Sequence, residues 1–410
     1  MKRISNPYRP GFNQPPAALT GRDRVVAAFT EALDVAALDG RTPRPVILTG
    51  GRGVGKTVLL GEAAAIAAEK HSWLTVPIEI RPGRTFTPQL LERLAAARDL
   101  YRQTPEGKHL EVAAAKIRAT VLGVGAEVEL RRGERAEPAL ALEALLADTC
   151  EAALVHEAGL VITVDELQFA DRSELADFAA TLQQHVPDNW PLVIVLAGLP
   201  SIRDTQRGVT YLERAEWHVL GLLGADATRA ALAEPATASG RPMSLAACER
   251  LADASGGYPY AIQVMGHHAW RASSASDTIE DSHAVDAVAA AEEDLAAGLY
   301  ESRWQDASPK EREYLFALAQ LAAGHHDVTA AEVARSLGKT TKAVSYLRDR
   351  LTQKGTVFSE SGFLRLAVPG MANWILRSNQ LESGAEPDLR GGGKPGLRLV
   401  DHDGGSDDDR

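Results

Sequence analysis

The chain has 410 residues, 45% hydrophobic and 24% charged, which is enough to bury a sizeable core and suggests two or three domains. Its formal net charge of −11 argues against a surface that is wholly a nucleic-acid footprint, while one basic module is still compatible with it. The two cysteines, Cys150 and Cys248, lack C-x-x-C spacing, so they offer no metal motif and suit a reducing compartment. No segment approaches the ~20 apolar residues of a membrane span. Met1 to Pro16 has a basic start but no apolar core, so it does not read as a signal peptide. A cytoplasmic protein with no membrane partner is expected.

In chain order, Ser5 to Pro16 is proline-rich and reads as an extended arm. Leu19-Thr20-Gly21-Arg22-Asp23 follows, then a helix from about Arg24 to Leu38. Pro45-Val46-Ile47-Leu48-Thr49 reads as a buried strand. It runs into Gly50-Gly51-Arg52-Gly53-Val54-Gly55-Lys56-Thr57, which fits the phosphate-loop pattern G-x-x-x-x-G-K-[ST] at every position. Val58 to Lys70 is Ala/Leu/Glu-rich and reads as the helix that the pattern requires. Glycines let several backbone N–H groups converge on a polyphosphate, and the helix N-terminus adds partial positive charge. Lys56 is expected to reach the outer phosphates, and the Thr57 hydroxyl to ligate Mg²⁺.

Trp73 to Ile80 reads as a second strand and Thr87 to Tyr101 as an amphipathic helix. The stretch 102–137 gives a weak signal, either a hairpin or an insertion, and no function is assigned to it. Ala139 to Gly159 is helical. Leu160-Val161-Ile162-Thr163-Val164 is a buried-strand run ending in Asp165-Glu166. Carboxylates at the C-terminal end of a parallel strand sit where open α/β sheets bind ligands. Asp165 is expected at the metal and Glu166 at an attacking water.

Leu192 to Ala197 is a further strand, ending at Gly198-Leu199-Pro200-Ser201. Alternating strands and helices predict a parallel, doubly wound sheet. From Val219 the chain turns more helical, with helices at Met243–Ala254, Tyr260–Ala269 and Ala284–Trp304. The pairs His267-His268 and His325-His326 read as surface residues rather than ligands, because neighbours on a helix point to different faces. Ser308-Pro309 opens a helix, Thr329 caps another, and Thr340 or Thr341 caps a third. Val333, Leu337, Val344, Leu347 and Leu351 form an apolar set at helical spacing, and a short hairpin flanks Ser361-Gly362. Helix-turn-helix plus hairpin predicts a winged helix. The Gly/Asp-rich end from Ser383 is expected to be disordered.

These motifs, in this order, resemble an AAA+ ATPase of the origin-recognition-like group, which is related to the bacterial STAND signalling ATPases. The implied fold is an α/β P-loop NTPase with a parallel, doubly wound sheet, a helical lid and a C-terminal winged helix. The implied parts are an arm and first helix at 1–44, an ATPase core at 45–220, a lid at 221–305, a winged helix at 306–378 and an acidic tail at 379–410. The resemblance extends the nucleotide site to Val58 and to Pro259 near the base, in Gly256-Gly257-Tyr258-Pro259-Tyr260, where no lid arginine is found. It also implies that the segment Asn6-Pro7-Tyr8 to Asp23 lies near the adenine, that Ser201 is a candidate first sensor, and that Arg214 is a candidate reader of the γ-phosphate. ATP and Mg²⁺ are the implied cofactors, slow ATP hydrolysis the implied activity, and a homo-oligomer one implied state.

Two roles remain open. From 306 to 377 there are ten Lys/Arg against seven Asp/Glu, an excess that suits double-stranded DNA on a winged helix, through Lys339, Lys342 and Arg348. Alternatively the winged helix is a packing module, and the protein is a signalling ATPase acting on a protein effector encoded nearby.

Overall fold

The structure is a computed structural model that describes residues 5–11, 14–105, 138–185, 189–205, 209–323, 327–360, 362–368 and 370–382. The core opens with α1 (Asp23–Ala37), β1 (Val46–Gly50), α2 (Lys56–His71), β2 (Leu74–Glu79) and α3 (Thr87–Gln103). It continues with α4 (Pro138–Leu154), β3 (Leu160–Asp165), α5 (Arg172–Gln184), β4 (Leu192–Gly198) and β5 (Glu216–Leu220). The five strands form one parallel sheet in the order β2-β3-β4-β1-β5. Every residue of β1, β3 and β4 is buried, as expected of parallel strands covered on both faces, and this is why they read as unbroken apolar runs. Strand β5 is different. Among the described residues it pairs only with β1, and it is mostly half-exposed, with Val219 69% accessible. A polar edge strand lacks an apolar run, and the sequence suggested helix from Val219. The helix in fact begins at Ala225.

The lid comprises α6 (Ala225–Ala238), α7 (Leu245–Ser255), α8 (Pro259–Ala272) and α9 (Asp281–Leu295). A π-helical turn at Ala296–Tyr300 leads into the short α10 (Glu301–Asp306), so the stretch expected to be helical over 284–304 is helical throughout, with a π-turn inside it. The C-terminal module follows with α11 (Pro309–Ala322), β6 (Val328–Thr329), α12 (Ala330–Ser336) and α13 (Thr341–Gln353). It ends with β7 (Val357–Glu360), β8 (Phe363–Leu366) and α14 (Met371–Glu382), the strands pairing antiparallel in the order β6-β8-β7. Ser308 and Thr329 each close a capping box, with Glu311 and Glu332, and Thr340 caps α13. Helices α11, α12 and α13 and the β7–β8 hairpin come in the order that caps and apolar spacing predicted, and β6 and α14 are additions to that expectation. Val333, Val344, Leu347 and Leu351 are buried, and Leu337 partly so. One hydrophobic core runs without a break through core, lid and C-terminal module. Among the described residues no helix is long and apolar enough to cross a membrane. The insertion read at 102–137, His325, His326 and the tail beyond Glu382 lie, wholly or almost so, outside the described residues.

The N-terminal arm is pinned to the lid. Tyr8 is 2% accessible and its hydroxyl donates to Leu232 O. Asn6 Nδ2 lies 3.0 Å from His267 Nδ1 and donates to His267 O at 3.2 Å, while Arg9 N donates to Gln263 Oε1 at 3.1 Å. His267 and His268 are therefore not the surface pair that the sequence suggested. The first holds the arm, and the second lies 2.7 Å from Asp294. A methyl group at Gly266 of α8 would collide with the Tyr8 ring, so this helical glycine makes room for the arm. Overpacking of this kind costs about 1–3 kcal/mol. Gly266→Ala is therefore expected to raise the rate of chymotryptic cleavage after Tyr8 by at least about fivefold. Gly61→Ala, on an open face of α2, should leave that rate unchanged. Mass spectrometry of a cleavage time course checks both.

Candidate nucleotide site

The phosphate loop leaves β1 at Gly50 and enters α2 at Lys56. Gly53 and Gly55 hold φ of 77° and 99°, left-handed values that glycine takes without a Cβ penalty. Lys56 is buried, and its Nζ donates to Gly50 O at 3.0 Å and Gly51 O at 2.7 Å. Burial lowers its ammonium to about 8, with Asp165 and Glu166 opposing the drop and Arg52 and Arg303 adding to it. Strand β3 lies two places from β1, across β4, and Thr57 spans that gap. Its Oγ1 donates to Asp165 Oδ2 at 2.5 Å, and Asp165 Oδ1 accepts from Glu166 N at 2.8 Å. A hydroxyl and a carboxylate side by side are the hard oxygen ligands that suit Mg²⁺.

Glu166 adopts a left-handed φ of 57°, a strained setting for a non-glycine residue. Its carboxylate accepts from Gln168 Nε2, and Gln168 Oε1 accepts from Leu199 N at 3.0 Å. Gln168 thus ties Glu166 to the end of β4, beside the place expected for a first sensor. Ser201 follows β4 but does not line the cleft described next.

A cleft of about 1080 Å³ opens above the loop, lined by all three parts of the molecule. The arm contributes Pro10 and Pro16, the lid Tyr258 and Pro259, and the C-terminal module Arg350 and Lys354. The lining divides by chemistry into apolar side chains suited to a base and cations suited to phosphates. Tyr258 is buried, its hydroxyl donates to Arg52 O at 3.0 Å, and burial pushes that hydroxyl up to about 12. A side chain at Gly53 would collide with this ring. Arg22 closes the other side, donating to Val54 O at 3.1 Å and Gly221 O at 2.8 Å.

The expected residues distribute unevenly. Arg52, Gly53, Val54, Gly55, Lys56, Thr57, Val58, Glu166 and Pro259 all line the cleft, with Asp165 bonded to Thr57. Gly50 and Gly51 supply the carbonyls that Lys56 meets. Arg214 is exposed and does not line the cleft of its own subunit. Arg348 also departs from the expected arrangement. Six positions after Lys342, it is turned roughly 120° around α13. It is half-buried beside Tyr314 and lies 2.8 Å from Asp349. Lys339 lies in the turn before the cap, and both Lys339 and Lys342 are exposed. Arg303, Gln168, Arg350 and Lys354 escaped the sequence motifs. The only signal for any of them was the Asp-Glu-x-Gln spacing at 165–168.

This fold and site define a P-loop NTPase, with the ligand cleft at the carboxyl ends of the strands. Residues 18–195 match the AAA ATPase domain family, so the ATPase module is of the AAA+ type, as the sequence resemblance implied. Residues 297–375 match a domain family of unknown function (DUF8462). No curated protein sequence matches the chain significantly. Among solved structures, the Walker-type ATPase Paby2304 of Pyrococcus abyssi aligns at a TM-score of 0.58 and 16% identity, over 89% of this chain and 98% of its own. Cdc6p from Pyrobaculum aerophilum gives 0.49 at 15% identity, over 92% and 97%. The Thermotoga maritima RuvB Holliday junction branch migration motor gives 0.45 at 14% identity, over 92% and 100%. The first similarity is one of fold. The other two are too distant in shape to support an argument.

Lys56→Ala is expected to weaken ATP binding at least about tenfold, since charge-assisted hydrogen bonds contribute roughly 1.5–3 kcal/mol each. Isothermal titration calorimetry against wild type measures it, and unchanged affinity would exclude Lys56 from the site.

Proposed function

We propose that the protein is an ATP-binding and ATP-hydrolysing switch whose C-terminal module, a winged helix, reports the nucleotide state. The observation that carries this reading is the meeting of Lys56, the Thr57–Asp165 pair and Glu166 in a cleft walled by core, lid and C-terminal module. ATP supplies a phosphoanhydride bond, and Mg²⁺ offsets the charge that develops as it breaks. In this reading Thr57 and Asp165 hold the metal, the phosphate loop and Lys56 orient the phosphates, and Pro259 with the arm's prolines flanks the base. Glu166, steadied by Gln168, holds a water in line. The lid and module exclude bulk solvent, which strengthens each of these interactions.

Nucleotide state can reach the C-terminal module through direct contact. Gly355 packs on the Arg52 side chain, with a Cβ position 3.3 Å from it, and on Leu199 at 3.2 Å; Ala367 stands 3.8 Å from the Cβ position of Gly51. A polyphosphate that moves the loop or Arg52 would push on this surface, and lid and winged helix would move with it. Arg214, exposed on the core, is available to a neighbouring subunit's nucleotide in a homo-oligomer.

For the output, the exposed Lys339 and Lys342 favour double-stranded DNA. They lie at the N-terminal end of α13, the end that helices of this kind bring to base edges. Arg350, at the cleft, is eight residues further on, or roughly 12 Å along the axis. One rigid helix thus spans the nucleotide site and the proposed DNA face. The packing of the module on the phosphate loop favours the second reading, in which the module is a latch and the target is a protein effector.

Glu166→Gln should leave ATP affinity within about twofold and lower steady-state hydrolysis about a hundredfold or more. Turnover within twofold of wild type, in a phosphate-release assay, would remove Glu166 from its role.

Lys339→Ala combined with Lys342→Ala should flatten the slope of log affinity against log salt by about two units if each lysine meets one phosphate. Hydrolysis without DNA should be unaltered. Fluorescence anisotropy on mixed-sequence duplexes across a salt series, with ATPγS or ADP, measures it. Absence of wild-type binding at low salt with either nucleotide would favour the protein effector.

A further inference from the structure

Arg303 lies on α10, in the segment that joins the lid to the C-terminal module. No motif marks it. Its side chain lines the cleft together with Arg52 and Lys56. Its Nε is shut off from solvent and has no hydrogen-bond partner among the described residues, and the same is true of Arg52 Nε. Lys354, Arg350 and Lys56, which share the cleft, are engaged. Lys354 Nζ donates to Asp306 O at 2.6 Å and to Glu311 Oε2 at 2.9 Å, and Arg350 lies 3.2 Å from Glu311 Oε1. Lys56 is held by loop carbonyls.

A guanidinium whose Nε is withdrawn from water and lacks an acceptor, beside two further cations, is unfavourable as it stands. Burial lowers its basicity, and Arg52 lowers it further against the opposing effect of Tyr258. An anion in the cleft would reverse that balance. The planar fork of arginine can donate two parallel hydrogen bonds to one phosphate group.

The backbone around Arg303 is built to present it. The π-helical turn at Ala296–Tyr300 precedes α10, and such turns are frequent at functional sites. Gly298, Leu299, Ser302 and Arg303 line the cleft. Tyr300 and Trp304 point elsewhere, with ring centroids 6.0 and 6.2 Å from that of Trp374 on α14. Arg312 lies over the Trp304 ring and donates to Trp304 O at 2.8 Å. One side of the segment is thus anchored in the C-terminal module while the other faces the phosphate loop.

We propose that Arg303 binds the terminal phosphate of a nucleoside triphosphate seated on the loop, so that the segment between lid and C-terminal module distinguishes triphosphate from diphosphate. The assignment rests on the nucleotide-binding reading above. It places the discriminating cation after the lid helices, where the Gly256–Tyr260 turn offers none.

The test is calorimetry on the full chain with ATPγS and with ADP, each with Mg²⁺, for wild type, Arg303→Ala, Arg303→Lys and Lys56→Ala. Arg303→Ala should lose at least about tenfold in affinity for ATPγS and less than about twofold for ADP. Arg303→Lys should recover part of the ratio, because it keeps the charge but not the fork. Equal losses for both nucleotides would show that Arg303 only shapes the cleft, and no loss for either would remove it from the site. Either result overturns the assignment. Should the alanine variant fail to fold, an ATPγS/ADP ratio in Arg303→Lys equal to that of wild type overturns it equally. If wild type binds neither nucleotide, or Lys56→Ala changes nothing, the nucleotide reading itself falls, and the assignment with it.

Discussion

The contact between Tyr258 and the phosphate loop is the constraint on which the rest of the structure depends. The ring occupies the space that any side chain at Gly53 would need, and its hydroxyl is bonded to the carbonyl of Arg52. The lid turn is therefore registered on the loop by shape and by a hydrogen bond together. Tyr258 directly precedes α8, and α8 carries the groove into which Tyr8 of the arm is set. One docking event thus positions the lid and, through it, the arm. A buried tyrosine hydroxyl needs a partner, and the loop carbonyl is that partner, so the closed arrangement satisfies groups that an open one would leave to water.

Charge is distributed to match. Acidic groups come from the end of β3, where Asp165 and Glu166 are fixed by the sheet and by Thr57 and Gln168. Basic groups come from every part that closes over the loop, with Arg52 from the loop itself, Arg303 from the junction segment, and Arg350 and Lys354 from the C-terminal module. Burial depresses the basicity of Lys56, with Asp165 and Glu166 opposing the drop and Arg52 and Arg303 adding to it. A polyphosphate is the ligand whose charge complements this arrangement.

Contacts also run without interruption from the C-terminal module to the acidic pair. Gly355 touches Leu199, the backbone of Leu199 is bonded to Gln168, and Gln168 is bonded to Glu166. Core, lid and module share one hydrophobic core.

The sequence by itself determined the phosphate loop, the acidic end of β3, the doubly wound core and, after Ser308, the order of α11, α12, α13 and the β7–β8 hairpin. Each is a local pattern: glycine spacing, an unbroken apolar run on a strand buried on both faces, or a cap followed by helical periodicity. It also brought the arm near the site through resemblance. Only the tertiary structure decided the edge strand β5, whose exposed residues leave no apolar run, and the π-helical turn at 296–300 within the predicted helical stretch, which composition does not mark. Tertiary structure alone excluded Arg214 from its own subunit's cleft and turned Arg348 away from Lys342, because sequence order fixes neither distance nor helix face. It likewise brought Arg303 and Lys354 to a loop some 250 to 300 positions earlier in the chain. Such cations belong to no motif, since what they recognise is assembled only when lid and module fold back over Gly53.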